Sequence, residues 1–134
     1  MSWRAVGVSF AIFACALTAC RARPHDPEPV PEPYRSIAAP DGPFEPSRWK
    51  MVFEENCAPC HGDEGRGDGP GSVGLSPHPA HFADPGFLSS RSDGYLFWRI
   101  SEGKPGTAMP SFKDSLSGDE RLALVRYLRA TWQR

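Results

Sequence analysis

Two cysteines and a histidine occur within five consecutive residues, Cys57-Ala58-Pro59-Cys60-His61. Cysteines three positions apart lie on the same face of one helical turn, so both sulfurs can reach the two vinyl groups of one porphyrin. His61, which follows directly, can offer its imidazole to the iron as the proximal ligand. Because this arrangement is typical of c-type haem attachment, it predicts one covalently bound haem c and a redox function.

Three other kinds of site also use a Cys-X-X-Cys pair. A thioredoxin-like dithiol needs a βαβ setting, and the chain has almost no alternating β-branched runs that would form its strands. A zinc site needs two further ligands, for which His78 and His81 are the candidates. A structural disulfide is common in exported proteins. None of the three uses the histidine after the second cysteine, so haem attachment is the preferred interpretation.

The amino-terminal residues predict export and a lipid anchor. Arg4 precedes the apolar stretch 5–17, which is too short to span a bilayer comfortably and is typical of a signal peptide. The stretch ends in Leu17-Thr18-Ala19-Cys20, which resembles the lipobox of bacterial lipoproteins. Cleavage before Cys20 would leave that residue lipidated, and several acyl chains form a stable anchor. Ordinary cleavage near Ala19, or an uncleaved anchor, is the alternative.

We therefore divide the chain into a signal peptide (1–19), a lipid-anchored tether (20–46) and a folded domain (47–134). Eight prolines lie between residues 21 and 46, where we expect them to prevent a helix or a central strand. We expect a semi-extended spacer of up to roughly 80 Å, with a proline-rich ligand for another protein domain as the alternative. The predicted location is the bacterial cell envelope, facing the periplasm, on the inner or outer membrane.

The expected domain is small and electrically balanced. It contains 11 Lys and Arg residues and 11 Asp and Glu residues, so its formal net charge is zero. A nucleic-acid-binding face requires an excess of basic residues, so we expect no nucleic-acid partner. A buried haem would supply part of the core that so short a chain lacks.

Three helices are predicted to position the site. The first runs from Ser47, as its N-cap, into the cysteine pair, with Phe53 pointing inward. The second begins at Ser92 and ends at Gly103, and the third begins with a capping box at Ser117. The expected inward residues are Leu96, Phe97 and Ile100 in the second helix and Leu124, Val125, Leu128 and Trp132 in the third.

The connecting loops are rich in glycine and proline. Residues 62–79 are expected to wrap one porphyrin edge, with Leu75 and Phe82 as inward contacts. Residues 103–110 deliver a methionine, Met109, in a short turn. The arginines of the third helix, Arg121, Arg126 and Arg129, are expected on its solvated side.

With these parts in order, residues 47–134 resemble a bacterial monohaem cytochrome c of class I. The resemblance rests on the Cys57 to His61 pentad, on the loop from Gly103 through Met109-Pro110, and on Leu124 and Tyr127 in the last helix. It implies an all-α fold with three main helices and loops around one haem. It also implies that Met109 is the distal iron ligand opposite His61.

Other residues compete with Met109 for the iron. Met51 precedes Cys57 by six positions on the proximal side, so we expect it to be a packing residue. His78 or His81 would give a bis-histidine centre of lower potential. Because both soon follow the proximal helix, we expect them nearer to the propionate or proximal edge.

The carbonyl that orients the His61 ring is expected to come from Pro77 or Pro79, since such outer partners fix the ring of a ligating histidine.

A six-coordinate iron leaves no site for substrate, so exchange between Fe(II) and Fe(III) is the expected chemistry. The first hypothesis is an envelope-anchored electron carrier of a respiratory chain, which meets redox proteins in weak and brief encounters. The second is a fixed electron-relay subunit of a membrane oxidoreductase complex, since the lipid-anchored monohaem subunits of alternative complex III look similar in outline. The third is a haem peroxidase or gas sensor with an open distal site, and Met109 argues against it.

Overall fold

The computed structural model describes residues 26–133 of the 134-residue chain. The signal peptide and Cys20 lie outside the described residues, so their assignment stays a prediction. Residues 26–133 contain no β-strand, as expected for an all-α fold. None of the helices in this range has the length and apolar character needed to cross a bilayer. The helices are α1 (Glu32–Arg35), α2 (Pro46–Asn56), α3 (Ala58–His61), α4 (Asp93–Glu102) and α5 (Gly118–Trp132), with one 3₁₀ turn at Pro70–Ser72.

The three long helices begin and end close to their predicted positions. The Ser92 side chain caps α4, and Gly103 ends it with a left-handed φ of 67° that favours glycine. α5 begins with the predicted capping box at Ser117. α2 differs, because Pro46 occupies its first position, where the missing N–H of proline is not needed. Ser47 therefore lies inside the first turn and is not the N-cap.

The apolar faces of α2, α4 and α5 meet in one core. Phe53 of α2 is 1% exposed, and its ring centroid lies 5.5 Å from that of Tyr127 and 5.1 Å from that of Trp132. Met51 is 61% exposed, so the expectation that it is a packing residue is wrong. Met51 precedes Phe53 by two positions, which places it on the opposite side of a helix with 3.6 residues per turn. The predicted inward residues of the other two helices are all buried: Leu96, Phe97, Ile100, Leu124, Val125, Leu128 and Trp132.

Arg129 of α5 is not on a solvated face, contrary to the expectation from the helix pattern. Its Nη2 lies 2.7 Å from Asp93 Oδ1 at the start of α4, and both side chains are largely buried. The same guanidinium donates to the backbone carbonyls of Leu88 and Arg91. The long side chain reaches back over apolar surface to the loop before α4. Helical spacing predicts on which face a residue lies, but not how far a long side chain extends from that face. Arg129 thus joins α5 to the beginning of α4.

Replacing Arg129 by alanine should destabilise the domain. The change removes a charged donor from Asp93 and from two loop carbonyls, and we expect a loss of about 2–3 kcal/mol in the free energy of unfolding. Thermal unfolding of the haem-loaded protein measures this loss of stability. The control is Arg126→Ala, because Arg126 contacts the exposed backbone at Gly42. This variant should lower the free energy of unfolding by less than about 1 kcal/mol. Equal losses in the two variants would contradict the role of Arg129.

Residues 26–46 lie against the domain and do not extend away from it. Asp26 accepts hydrogen bonds from the backbone N–H and the hydroxyl of Ser92, at 2.7 and 2.6 Å. Val30 is buried, and the Tyr34 ring packs on α4. The expectation of a helix-free, solvated spacer is wrong for this part of the chain. Proline is tolerated in the first turn of a helix, so α1 forms, and the few apolar side chains are enough to attach the segment to α4.

Candidate functional site

A cavity of about 340 Å³ lies among the three long helices and the two glycine-rich loops. Its wall includes Cys57, Cys60 and His61, together with Met109 from the second loop. The structure therefore brings together the four residues that the sequence predicts around one haem. The rest of the wall is mainly apolar and includes Phe53, Leu75, Phe82, Leu96, Ile100, Leu124 and Leu128.

One helical turn places the cysteine pair and the histidine. The His61 N–H donates to the Cys57 carbonyl at 2.8 Å, and neither Cys57 nor Cys60 forms a disulfide. Burial, with a smaller contribution from Cys60, raises the pKa of Cys57 to about 12, so this thiol is neutral near pH 7. A neutral thiol is a poor nucleophile, which argues against dithiol redox chemistry at this pair. Residues 26–133 also hold no group of three metal-ligating side chains of the His, Cys, Asp and Glu types.

The His61 ring is held by two contacts. Its Nδ1 lies 3.0 Å from the Ala80 carbonyl oxygen, and the Phe82 ring stacks on it with 4.5 Å between centroids. Burial lowers the pKa of His61, and the hydrogen bond to Ala80 partly opposes that shift. A neutral ring that donates from Nδ1 keeps the lone pair of Nε2 for a metal. The expectation that Pro77 or Pro79 provides the carbonyl is wrong. The path of the loop instead brings Ala80, the residue after Pro79, to the ring.

The two competing histidines occupy different places. His78 is on the cavity wall, whereas the Nδ1 of His81 lies 2.8 Å from the Asp84 carboxylate and the residue is not part of the wall. His78 therefore remains the histidine that competes with Met109 for the iron. Leu75 and Phe82 line the cavity as expected, and Phe82 is buried.

Two hydrogen bonds and a close backbone approach hold the Met109 loop in a closed turn. The Met109 N–H donates to Thr107 Oγ1, and the Met109 carbonyl accepts from the Lys104 N–H, both at 3.2 Å. A Cβ on Gly103 would collide with the backbone of Met109 and Pro110, so only glycine permits this approach. The loop thus places Met109 on the cavity wall.

Arg99 is a buried cation on the cavity wall that sequence reasoning missed. Its guanidinium lies 3.3 Å from the Trp98 ring centroid, and its Nη1 donates to the Gly103 carbonyl at 3.1 Å. Its Nε is buried and has no hydrogen-bond partner among residues 26–133. A haem carries two propionate carboxylates, which would satisfy such a donor. The cavity therefore fits a haem in charge as well as in its apolar lining. The sequence signal for Arg99 is its place on the inward face of an amphipathic helix, where an arginine is rare unless it is paired.

Comparisons with known proteins agree with this geometry. Residues 45–128 match the family model described as cytochrome c oxidase, cbb3-type, subunit III. No curated protein sequence matches the chain. One similar solved structure is a chain of the reducing HAO-like protein complex Kustc0457/Kustc0458 of Kuenenia stuttgartiensis, at 29% identity and a TM-score of 0.57. That match covers 71% of this chain but only 45% of the other.

A second similar structure is the c-type cytochrome KustC0563, at 29% identity and a TM-score of 0.52. The match covers 63% of this chain and 96% of that cytochrome. A single-residue variant of the same cytochrome is similar at 30% identity and a TM-score of 0.52, covering 62% of this chain and 96% of the variant.

Proposed function

The chain belongs to the cytochrome c domain family described as cytochrome c oxidase, cbb3-type, subunit III, and on that premise we propose one-electron transfer through a haem ligated by His61 and Met109. The fold is that of a cytochrome c, and the cofactor is haem c bound covalently through Cys57 and Cys60. The observation that carries the proposed ligation is the common cavity wall on which the cysteine pair, His61 and Met109 lie.

The residues of the chain prepare the site for electron transfer. When bound, the haem supplies an iron that exchanges between Fe(II) and Fe(III). Ala80 and Phe82 restrict the His61 ring, and the apolar wall excludes water, so the surroundings rearrange little when the charge changes. A methionine ligand raises the reduction potential relative to a second histidine. Arg99 would offer a buried donor to the propionates of a bound haem.

A redox titration of the purified haem-loaded protein tests this proposal. His and Met ligation in both oxidation states predicts one reversible one-electron wave and no rapid binding of carbon monoxide by the ferrous protein at neutral pH. Rapid binding by the unaltered protein would indicate an open distal site. The peroxidase or gas-sensor hypothesis would then replace electron transfer.

We also place the protein on the cell-envelope membrane through lipid on Cys20, which the lipobox-like sequence supports. Residues 20–25 connect Cys20 to the segment that lies against the domain, and six residues span at most about 20 Å. The domain would then lie near the membrane surface. Mass spectrometry of the mature protein should detect an acylated Cys20, and Cys20→Ser should release the protein from the membrane fraction. Retention of that variant in the membrane would contradict lipid anchoring.

The second hypothesis, a fixed electron-relay subunit of a membrane complex, is compatible with a domain held close to the bilayer. The family description also names an oxidase subunit, and one similar structure is from a protein complex. A quinol-oxidising complex such as alternative complex III, or an oxidase, is the kind of assembly proposed. Mild detergent extraction of native membranes should recover the protein together with large membrane subunits. Recovery of the protein alone would instead support the free carrier.

A further inference from the structure

Residues 26–39, called the strap from here on, run along α4 and reach the haem cavity. At one end, Asp26 bonds Ser92, the N-cap of α4. At the other end, the Ala39 N–H donates to Asp93 Oδ2 at 2.8 Å. Between these two attachments Pro27 forms part of the cavity wall. The strap is therefore fixed at both ends and contributes to the site.

The middle of the strap packs closely on α4. A Cβ on Gly94 would collide with the Tyr34 carbonyl oxygen, so the strap backbone rests where α4 has no side chain. The Tyr34 ring centroid lies 6.1 Å from that of Phe97, and the Tyr34 hydroxyl bonds the Glu102 carboxylate at the far end of the helix. These contacts make the strap an integral part of the domain.

Glu28 connects the strap to the charge of the cavity. Its Oε2 lies 3.4 Å from Arg99 Nη2, and its Oε1 accepts a hydrogen bond from the Tyr95 hydroxyl at 3.3 Å. Arg99 is itself on the cavity wall, and its Nε has no partner within the described range. One guanidinium thus belongs to the haem site and is also paired with the strap.

We propose that Glu28 is a positioning residue that lowers the reduction potential of the haem through Arg99. The inference rests on the proposed function, because it requires a redox-active haem in this cavity. An unpaired guanidinium beside the site favours Fe(II), which carries one positive charge fewer than Fe(III). The Glu28 carboxylate offsets part of that charge, because it is paired with a guanidinium that is only 9% exposed, although water reaches Glu28 itself, which is 39% exposed. The strap would thereby be part of the redox centre as well as of the fold.

The test is the midpoint potential of full-length, haem-loaded Glu28→Gln, measured by redox titration. We expect a shift to more positive potential, with the absorption bands of the axial ligands unchanged. The matched control is Glu32→Gln, which removes the same charge from the same strap. Glu32 is 78% exposed, pairs with Arg35 and is not on the cavity wall, so its variant should keep the original potential.

Equal shifts in the two variants, or no shift in Glu28→Gln, would overturn the inference. A normal one-electron wave with an unmoved midpoint contradicts only the role of Glu28. Absence of any reversible wave in the unaltered protein contradicts the proposed function instead.

Gly94→Ala tests the strap without changing any charge. Alanine favours helices more than glycine, so a free α4 face would become more stable. Collision with the Tyr34 carbonyl should instead lift the strap, speed proteolysis within residues 26–39 and move the potential in the same positive direction as Glu28→Gln. A higher thermal midpoint with unchanged proteolysis and potential would show that the strap has no such role.

Discussion

Cys57→Ala combined with Cys60→Ala should abolish covalent haem attachment and prevent the domain from folding stably. Without thioether bonds, nothing retains the haem permanently in the cavity. At about 24 cal/mol per Å³, an empty cavity of about 340 Å³ would cost up to roughly 8 kcal/mol. Domains of this kind have a total stability of only about 5–15 kcal/mol. We therefore expect almost no haem-stained protein from this double variant. The protein that is recovered without haem should be largely unfolded.

Haem staining after denaturing electrophoresis measures the attachment, and extraction with acidified acetone distinguishes covalent from dissociable haem. Met51→Ala is the control, because Met51 is exposed on α2 and is not on the cavity wall. That variant should keep its haem through both treatments. Haem that resists acidified acetone in the double variant would contradict attachment through this cysteine pair, as would complete extraction from the unaltered protein.

Met109→Ala should open the distal side of the iron and lower the reduction potential. Loss of the thioether leaves the ferrous haem with a vacant position, so carbon monoxide should bind rapidly where the unaltered protein does not bind it. Axial ligands set haem potentials over a range of about 0.8 V, and we expect a decrease on the order of 0.1 V. Absorption spectroscopy under carbon monoxide and a redox titration measure the two effects.

His78→Ala is the matched control for Met109→Ala, because His78 also lies on the cavity wall. With Met109 as the distal ligand, His78→Ala should keep its spectrum and should not bind carbon monoxide. The reverse pattern, in which Met109→Ala is unaltered and His78→Ala opens the iron, would assign the position to His78.

The predictions that depend on neighbouring residues follow directly from the sequence. The cysteine pair and His61 share one helical turn, so their spacing alone predicts the haem. The caps at Ser92 and Ser117 involve side chains within three residues of the N–H groups that they satisfy. The inward position of Phe53 follows from the helical repeat. These features need no knowledge of how the chain folds back on itself.

Tertiary structure alone decided the contacts between distant residues. Ala80, and not a neighbouring proline, faces His61 across 19 positions, because the path of the loop selects the carbonyl. Asp26 meets Ser92 across 66 positions, which converts a proline-rich segment into a strap. Arg99 becomes part of the haem site because α4 lies between that strap and the cavity. Composition and spacing describe what a residue can do within its own turn, whereas its partner across the fold depends on how loops and helices pack.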